Sequence, residues 1–329
     1  MTKMCGLCGG IVHELVSEKD RHGNDLKTVI CMGCGIITND PIPTDEELAA
    51  FYKNDYRKDY KGTSEPRMRQ VWRNFGRIEN HLKTNSDIYN DRKKCLDLGS
   101  GSGEFMFLAT ALGISCTGIE PNDGYAEYCK HKLGLDVKNQ RLEDTQFKDG
   151  EFDLIRLSHV LEHMRDPVRS LIVLHKWLSD DGILYIEVPN IEHDAAHKIY
   201  GRMFHFGHIF NFNPQTLRLA AGLAGFSETP QSASRLSNTT GAFFCKSDGK
   251  FQTPNAMKQN AALMKKAMDG HNTRTLPKPK SGTVMGRLIS TIATRLGEMA
   301  AARKFADHRA IADEFARRSK AANVARQRM

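Results

Sequence analysis

The middle of the chain alternates short apolar runs with longer amphipathic stretches. Strand-like runs occupy residues 94–98, 115–119, 152–157, 182–188 and 242–245, and helical patterns occupy residues 104–112, 123–132 and 167–178. Short, mostly apolar runs such as Cys95 to Leu98, which only Asp97 interrupts, are typical of strands that are buried on both faces. Their alternation with helices indicates a parallel sheet with helices on both sides. We therefore predict an α/β protein with a doubly wound, mostly parallel, Rossmann-like sheet.

Helical patterns flank this core on both sides. Thr44 is typical of a helix N-cap, and residues 65–90 space their apolar side chains as a helix does. Residues 276–282 predict a linker, because they combine proline, lysine and glycine. Two further sets of side chains recur at helical spacing. The first is Tyr52, Tyr56 and Tyr60, which fit either helix packing or the lining of a pocket. The second is an apolar helix face formed by Leu288, Ile292, Leu296 and Met299 and continued by Phe305, Ile311 and Phe315.

These patterns divide the chain into four segments. We expect a ribbon at residues 1–42, a helical cap at 43–92, the α/β domain at 93–248 and a basic helical extension at 249–329. Of the 329 residues, 40% are hydrophobic, which is enough for one sizeable core. No apolar run approaches the ~20 residues of a membrane span, and the N-terminus lacks a signal-peptide pattern. We therefore expect a cytoplasmic protein.

Positive charge is concentrated at the C-terminal end of the chain. The net charge is +8, but residues 250–329 hold 17 Lys and Arg against 5 Asp and Glu, so the remainder carries −4. A basic helical tail of this kind can dock on its own protein, pair with a second subunit, or lie on the inner face of an anionic membrane. Nucleic acid is the least favoured partner of the tail, because the tail has few aromatic side chains to stack on bases.

Four cysteines near the N-terminus predict a metal site. Cys5 and Cys8 form one C-x-x-C pair, Cys31 and Cys34 form another, and a glycine follows each pair. This spacing suits a tetrahedral Zn²⁺ bound by four thiolates, with no open position for water. We therefore predict a structural zinc ribbon, since a segment of ~40 residues cannot bury enough surface to fold alone.

Three glycines alternate with serines directly after residues 94–98. The stretch reads Asp97-Leu-Gly99-Ser100-Gly101-Ser-Gly103-Glu104. A strand, a glycine turn and a helix start form a ligand site, because backbone without Cβ atoms can approach a ligand closely. A dinucleotide-binding loop would need a third glycine at position 104. The glutamate found there disfavours a pyrophosphate.

A carboxylate ends the next predicted strand. Glu120, followed by Pro121, is placed to accept hydrogen bonds from both hydroxyls of a ribose. The two motifs together resemble the class I S-adenosylmethionine (SAM)-dependent methyltransferases of the type 11 and type 23 domain families, and residues 152–163 resemble the fourth-strand segment of that superfamily. The resemblance covers about residues 93–248. It implies SAM as cofactor, with Glu120 at the ribose.

The resemblance also implies the remaining cofactor contacts. Its glycine loop places Asp97, Gly99, Ser100, Gly101 and Gly103 around the methionine part of SAM. The later contacts are Leu142 and Glu143 along the adenine, with Asp144 as an alternative to Glu143. Pro121, Ser158 and His159 are further candidates at the strand ends. The combination of a Cys₄ ribbon with such a domain in one chain resembles the methyltransferases of sugar, polysaccharide or secondary-metabolite pathways.

Methyl transfer to a hydroxyl needs a base, and histidines are the candidates. Residues 201–217 resemble a His-x-x-x-Phe-[Ser/Asn]-Pro segment of zinc-ribbon-bearing methyltransferases, which fits a pocket wall or ordinary packing. In similar enzymes the histidine at the end of the fourth strand is often structural, and some quinone-precursor O-methyltransferases bind a metal there through Glu-x-x-Glu-His. The candidate bases are His208, His159, His163 and His205.

We therefore expect an enzyme that methylates a small molecule or a glycan, on oxygen in preference to nitrogen or carbon. One alternative is RNA or protein methylation, with the ribbon and tail gripping the polymer, for which binding would depend steeply on salt. A second alternative is a non-catalytic scaffold that binds SAM. Turnover of SAM separates this last case from the other two.

Overall fold

The computed structural model describes residues 4–54, 65–198, 203–230, 238–247, 254–273 and 281–327. Tyr56, Tyr60 and residues 276–280 of the expected linker lie outside the described residues, as do the side chains of Tyr52 and Leu288.

The strands are β1 (His13–Lys19), β2 (Asp25–Cys31), β3 (Ile37–Asn39), β4 (Lys94–Leu98), β5 (Ser115–Ile119), β6 (Asp136–Lys138), β7 (Phe152–Ser158), β8 (Leu178–Pro189), β9 (Phe210–Asn211), β10 (Phe226–Glu228) and β11 (Thr239–Lys246). The helices are α1 (Asp45–Asn54), α2 (Met68–Thr84), α3 (Ser86–Tyr89), α4 (Glu104–Ala111), α5 (Asp123–Leu133), α6 (Pro167–Trp177), α7 (Ile191–His197), α8 (Pro214–Leu223), α9 (Pro254–Thr273), α10 (Ser281–Ala302) and α11 (His308–Gln327). Two 3₁₀ turns lie at Leu142–Asp144 and Leu161–His163.

The chain forms two compact units that interleave along the sequence. The first comprises residues 1–62, 148–151 and 155–275, and the second comprises residues 63–147, 152–154 and 276–329. Strand β7 therefore has residues in both. The N-terminal ribbon and helix α9 belong to the first unit, and the last two helices, α10 and α11, belong to the second.

The larger sheet has the strand order β10-β11-β8-β7-β4-β5-β6 within the described residues. Strands β4, β5 and β6 pair in parallel, whereas β11 runs antiparallel to both β8 and β10. The predicted α/β fold with a doubly wound, mostly parallel sheet is confirmed. The sequence analysis missed β6 and β10, because strands of three residues leave too short a pattern to recognise.

Helix starts follow the capping chemistry of the sequence. Thr44 Oγ1 accepts the N–H of Glu47, whose carboxylate accepts the N–H of Thr44 in return, so the predicted cap is a capping box. Asn213 caps α8 in the same way with Thr216, and Pro214 occupies the first helical turn. The α8 cap fixes where the aromatic segment that precedes it ends.

The ribbon is a small antiparallel sheet with the order β1-β2-β3-β9. Its apolar face does not stand alone, because Ile30 and Ile37 share a buried cluster with Ile191 of α7 and with Met264 and Met268 of α9. This shared core supplies the burial that a segment of ~40 residues could not provide by itself.

The C-terminal part of the basic tail docks within the second unit, whereas α9 belongs to the first. Phe315 of α11 is buried and stacks on Phe75 of α2 with ring centroids 5.6 Å apart. Arg309 lies 5.0 Å from the Phe107 ring centre, and its Nη1 donates to the Leu133 carbonyl at 3.1 Å. Docking on the protein's own body is thus the arrangement found for α11, while Ile292, Leu296 and Met299 of α10 stay exposed. None of the described helices has the length and apolarity needed to span a membrane.

Candidate active site

The glycine loop of the second unit uses backbone conformations that side chains disfavour. Gly99, Gly101 and Gly103 have φ angles of +68°, +54° and +78°. The N–H groups of Gly99 and Ser100 donate to the Ile119 carbonyl at the end of β5, at 2.8 and 3.1 Å. The loop therefore turns back over the carboxyl ends of β4 and β5, where parallel sheets bind ligands.

Two of these glycines face different surroundings. Among the described residues, a Cβ atom on Gly101 would meet nothing within 4 Å, whereas one on Gly103 would lie 2.6 Å from Leu135 Cδ1 and 2.9 Å from Cys129 Sγ. Gly101 thus borders open space that a ligand can fill, and Gly103 is enclosed by packed side chains.

This contrast predicts different results for two matched substitutions. We expect Gly101→Ala to lower SAM affinity at least ten-fold, because the new methyl group occupies the space beside the loop. Gly103→Ala should instead lower the melting temperature by more than Gly101→Ala does, because it adds a clash to the backbone strain that both share. Calorimetry with SAM and thermal denaturation measure the two effects, and equal losses of stability would contradict the assignment.

Glu120 ties this loop to the end of β5. Its carboxylate is buried, and its two oxygens accept the N–H groups of Gly101 and Asn122, each at 2.8 Å. Burial raises the pKa of Glu120, the two backbone N–H groups oppose that shift, and the nearby Asp97 carboxylate adds to it. Each carboxylate oxygen has a second lone pair, so Glu120 can still accept two hydroxyl donors.

The other cofactor-binding candidates of the second unit lie on neighbouring elements. Asp97 is fully buried near the end of β4, and Leu142 is buried on its 3₁₀ turn. Asp144, two residues beyond Leu142, pairs with Arg141 at 3.0 Å. Glu143 therefore stays the preferred candidate of that turn, because Asp144 is already paired.

His159 stands in the first unit just after β7, in an unusual conformation. Its φ of +58° is rare for a residue with a side chain. Nδ1 lies 3.4 Å from Glu162 Oε1, and Nε2 lies 3.4 Å from Glu187 Oε1. Burial disfavours the charged ring, but the two carboxylates outweigh it and raise the pKa of His159 to about 9. His159 is therefore an imidazolium at neutral pH.

Glu187 of β8 anchors this arrangement. It accepts hydrogen bonds from Tyr185 Oη at 2.9 Å and Ser158 Oγ at 3.3 Å. Burial opposes its charge, but His159, Tyr185 and Arg156 hold its pKa at about 2. The sequence analysis missed Glu187, because a single acid near the end of a strand resembles a solvent-facing position.

The other three histidines form a cluster around Gly207. His163 Nδ1–H donates to the Gly207 carbonyl at 2.6 Å, and its Nε2 lies 3.8 Å from Glu162 Oε1. His205 Nδ1 accepts the Gly207 N–H at 3.1 Å. The His208 ring lies 4.9 Å from the His163 ring and 5.3 Å from the His205 ring. Burial and the positive charge of neighbouring basic groups lower the pKa of His208 well below its usual value, so its ring is neutral.

All four candidate histidines line one cavity of about 510 Å³ in the first unit. This volume is typical of a small-molecule site. Arg21 and Lys198 also line the cavity, and the sequence analysis identified neither. Arg21 lies in the ribbon, about 140 residues or more before the histidines, so no local pattern connects it with them.

The ribbon holds the segment that carries His205 and His208. In the pairing of β3 with β9, Thr38 lies opposite Phe210. Asn39, fully buried, donates from its backbone to the Ile209 carbonyl at 3.1 Å and from Nδ2 to the Phe206 carbonyl at 3.0 Å. The cavity wall is thus an extension of the ribbon sheet.

The four cysteines of the ribbon meet at one point. Their sulfur atoms lie within 4.8 Å of one another, with Cys5–Cys34 at 3.8 Å and Cys8–Cys31 at 3.5 Å. Sulfurs around a tetrahedral zinc ion with bonds of about 2.3 Å stand roughly 3.8 Å apart, whereas a disulfide needs about 2.05 Å. The arrangement therefore fits a Cys₄ zinc site.

Glycines and a distant asparagine complete this site. The N–H groups that face sulfur belong to Gly10 and Gly33, each 3.4 Å from a sulfur atom. Gly35 turns the chain with φ +84°, and a Cβ there would lie 2.8 Å from Asn260 Nδ2 of α9. Asn260 Nδ2 donates to the Cys34 carbonyl, and its Oδ1 accepts from Asn213, both at 2.8 Å. Helix α9 thus supports the loop that carries Cys34.

A second group of potential metal ligands lies in the cavity. Glu162, His163 and His208 bring one donor atom each within 4.8 Å of one another. One buried carboxylate and two imidazoles are donors that a divalent transition-metal ion accepts. The hydrogen bond from His163 to Gly207 orients that ring as a metal ligand would be oriented.

Comparisons with known proteins identify the region that carries these features. A family model described as a methyltransferase domain matches residues 71–230, which include the glycine loop, Glu120 and the four histidines. A ubiquinone biosynthesis O-methyltransferase of Actinobacillus pleuropneumoniae serotype 7 (strain AP76) is 30% identical over 108 residues, covering 30% of this chain and 46% of the relative. One of Pseudomonas aeruginosa (strain LESB58) is 27% identical over 104 residues, covering 30% and 45%. The chain spans about half the length of the curated relatives it matches.

Solved structures give a similar match. The Burkholderia thailandensis 1,6-didemethyltoxoflavin-N1-methyltransferase, solved with 1,6-didemethyltoxoflavin and S-adenosylhomocysteine, has a TM-score of 0.45 and 18% identity, covering 65% of this chain and 96% of that chain. The PH0226 protein of Pyrococcus horikoshii OT3 has a TM-score of 0.46 and 17% identity, covering 52% and 90%.

Proposed function

We propose that this protein, which carries a SAM-dependent methyltransferase domain at residues 71–230, transfers a methyl group to a hydroxyl oxygen of a small-molecule or glycan acceptor. The observation that supports it most is the cavity of the first unit, where the neutral ring of His208 and the imidazolium of His159 both line the wall. The curated relatives are named as O-methyltransferases, which agrees with an oxygen acceptor.

The second unit supplies the groups that would hold SAM. Glu120 would accept the ribose hydroxyls, the Gly101 side of the loop would receive the methionine part, and Asp97 would lie near its amine. When bound, SAM supplies an electrophilic methyl group on a sulfonium. The main task of the protein is then to align the acceptor oxygen with that methyl group.

The histidines of the cavity divide into two roles. His159 keeps its proton up to a pH of about 9, so it serves as a cation and not as a base at neutral pH. His208 is neutral because burial and nearby positive charge oppose protonation. The Nδ1–H of His163 donates to the Gly207 carbonyl, and its Nε2 lies 3.8 Å from Glu162 Oε1. We assign the removal of the acceptor proton to His208, with His163 as the second candidate and His205 as a positioning residue.

The test is turnover of labelled SAM by the zinc-loaded protein with a panel of hydroxylated sugars and phenols. We expect His208→Gln to lower kcat about 10²- to 10⁴-fold, the usual contribution of a general base, with SAM affinity unchanged. His131→Gln is the matched control, because His131 is an exposed residue of α5 that pairs with Glu127.

The outcomes separate the competing functions. Full activity of both His208→Gln and His163→Gln would contradict the assignment of the base. Binding of SAM without transfer to any acceptor would favour a non-catalytic scaffold. Transfer only to RNA or protein, with binding that depends steeply on salt concentration, would favour methylation of RNA or protein. The docking of α11 argues against that last function, because Arg318 pairs with Glu79 and Arg317 with Glu314.

A further inference from the structure

We propose that helix α11 supports the glycine loop, and that Arg309 and Phe315 are positioning residues that determine how tightly SAM binds. This inference rests on the proposed function, because it takes SAM to lie at that loop. It gives the C-terminal extension a part in cofactor binding. Helix α11, the loop and the helices α2, α4 and α5, on which α11 packs, all belong to the second unit.

Helix α5 encloses one side of the loop. A Cβ atom on Gly103 would lie 2.6 Å from Leu135 Cδ1 and 3.5 Å from Leu133 Cδ1. The thiol of Cys129 donates to the Gly101 carbonyl at 3.2 Å. The loop therefore lies against the last turn of α5 and the residues that follow it, so its position depends on where that helix ends.

Arg309 of α11 holds this end of α5. The helix ends at Leu133, and Gly134 follows as its C-cap with a φ of +69°. Arg309 Nη1 donates to the Leu133 carbonyl at 3.1 Å, and its Nε pairs with Asp313 of α11 at 3.0 Å. The last carbonyls of a helix lack partners within it and carry partial negative charge. The guanidinium therefore satisfies one of these carbonyls and stabilises the end of α5.

Helix α2 holds the loop through Glu104, the residue that follows Gly103. The Glu104 carboxylate is buried, and its Oε1 accepts hydrogen bonds from Ser102 Oγ at 2.7 Å and from Asn74 Nδ2 of α2 at 3.1 Å. A buried carboxylate needs such donors, because burying a charge without partners costs much free energy. The position of α2 therefore affects the conformation of the loop.

Phe315 of α11 packs on the same part of α2. Its ring stacks on Phe75 with centroids 5.6 Å apart, and a Cβ atom on Gly76 would lie 3.9 Å from it. Phe75 in turn contacts Phe107 of α4 with centroids 5.9 Å apart, and Arg309 lies 5.0 Å from the Phe107 ring centre. Helix α11 thus contacts all three helices that enclose or continue the loop.

The composition of the loop explains why this support affects binding. Residues 99–103 contain three glycines, which have more conformational freedom than other residues, so ordering them costs more free energy. A surrounding structure that already holds them in place removes this cost from the binding step and raises affinity. Loosening α11 is therefore expected to weaken SAM binding without changing any residue that would touch SAM.

The test compares Arg309→Gln with Arg317→Gln in the zinc-loaded full chain. Both arginines are exposed residues of α11, but Arg317 pairs with Glu314 of the same helix at 2.9 Å. We expect Arg309→Gln to lower the affinity for SAM at least five-fold in calorimetric titration, and Arg317→Gln to bind SAM as the unmodified protein does. Arg309→Lys, which keeps a positive charge at the end of α5, should fall between the two.

Hydrogen exchange separates support of the loop from general stabilisation. Arg309→Gln should speed exchange of the amides at residues 99–104 and 133–135 and leave strands β4 and β5 as protected as in Arg317→Gln. Phe315→Ala should speed exchange at 99–104 through α2, and if this variant does not fold, the Arg309 variants decide alone.

Three results would overturn the inference: unchanged SAM affinity in Arg309→Gln, unchanged exchange at residues 99–104, or faster exchange throughout β4 and β5. The last of these would show that Arg309 stabilises the whole unit and has no particular effect on the loop. Failure of the unmodified protein to bind SAM overturns the proposed function instead, so the two failures are distinguishable.

Discussion

Replacing Glu120 with alanine is expected to lower SAM affinity a hundred-fold or more. The carboxylate would accept both ribose hydroxyls, and each hydrogen bond to a charged group contributes about 1.5–3 kcal/mol. The substitution also removes the acceptor of the Gly101 N–H, which now holds the glycine loop against the end of β5. Calorimetric titration with SAM measures the loss directly.

Two further variants sharpen this test. Glu120→Gln keeps the shape of the side chain and removes its charge, so it should lose most of the affinity as well. Glu127→Gln, on an exposed position of α5, should bind SAM normally. A less than three-fold change in the Glu120→Ala variant would remove this residue from the cofactor site.

Removing zinc is expected to abolish methyl transfer while SAM binding persists. The ribbon holds the cavity wall through β9 and Asn39, and its metal site is joined to α9 through Cys34 and Asn260. Structural zinc contributes about 10–16 kcal/mol to the folding of small ribbons, so little of this arrangement should survive its loss. We expect transfer to fall more than a hundred-fold and SAM affinity to change less than three-fold.

Cys34→Ser provides the same test without a chelator. Cys245→Ser is the matched control, because Cys245 is a partly exposed thiol of β11 outside the ribbon. Transfer that persists in zinc-free protein would show that the cavity wall holds without the ribbon. A parallel loss of SAM binding would show that the metal supports the whole chain.

Local patterns were enough to predict the centre of the fold. Strands β4 and β5 lie where the apolar runs placed them, because each is short, buried and bounded by turn residues. Strand β8 begins at Leu178, four residues before the predicted start, since Ser179, Asp180 and Asp181 have the composition of a turn. The paired strand β11 continues the ladder as far as Ile183, so the early part of β8 extends beyond this pairing.

Sequence patterns could not predict the parts of the site that depend on contacts between residues far apart in the chain. The glycine loop and Glu120 are separated by about 20 residues and form a recognisable motif, and the structure joins them by a hydrogen bond. Arg21, Glu187 and Asn260 carry no such motif. Each acts through a partner that the fold brings close, and a charge or an amide by itself does not reveal that partner.

The extension of the ribbon sheet by β9 has a consequence for how such enzymes change their acceptors. The hairpin that ends in Arg21 and the wall that carries His208 belong to one hydrogen-bonded sheet, whereas Glu120 and the glycine loop belong to the other unit. Exchanging residues 13–31 between homologous proteins would therefore change the part of the proposed acceptor cavity that Arg21 lines and leave the glycine loop intact. Chimeras of this kind offer a route to new acceptors without re-engineering the methyl donor site.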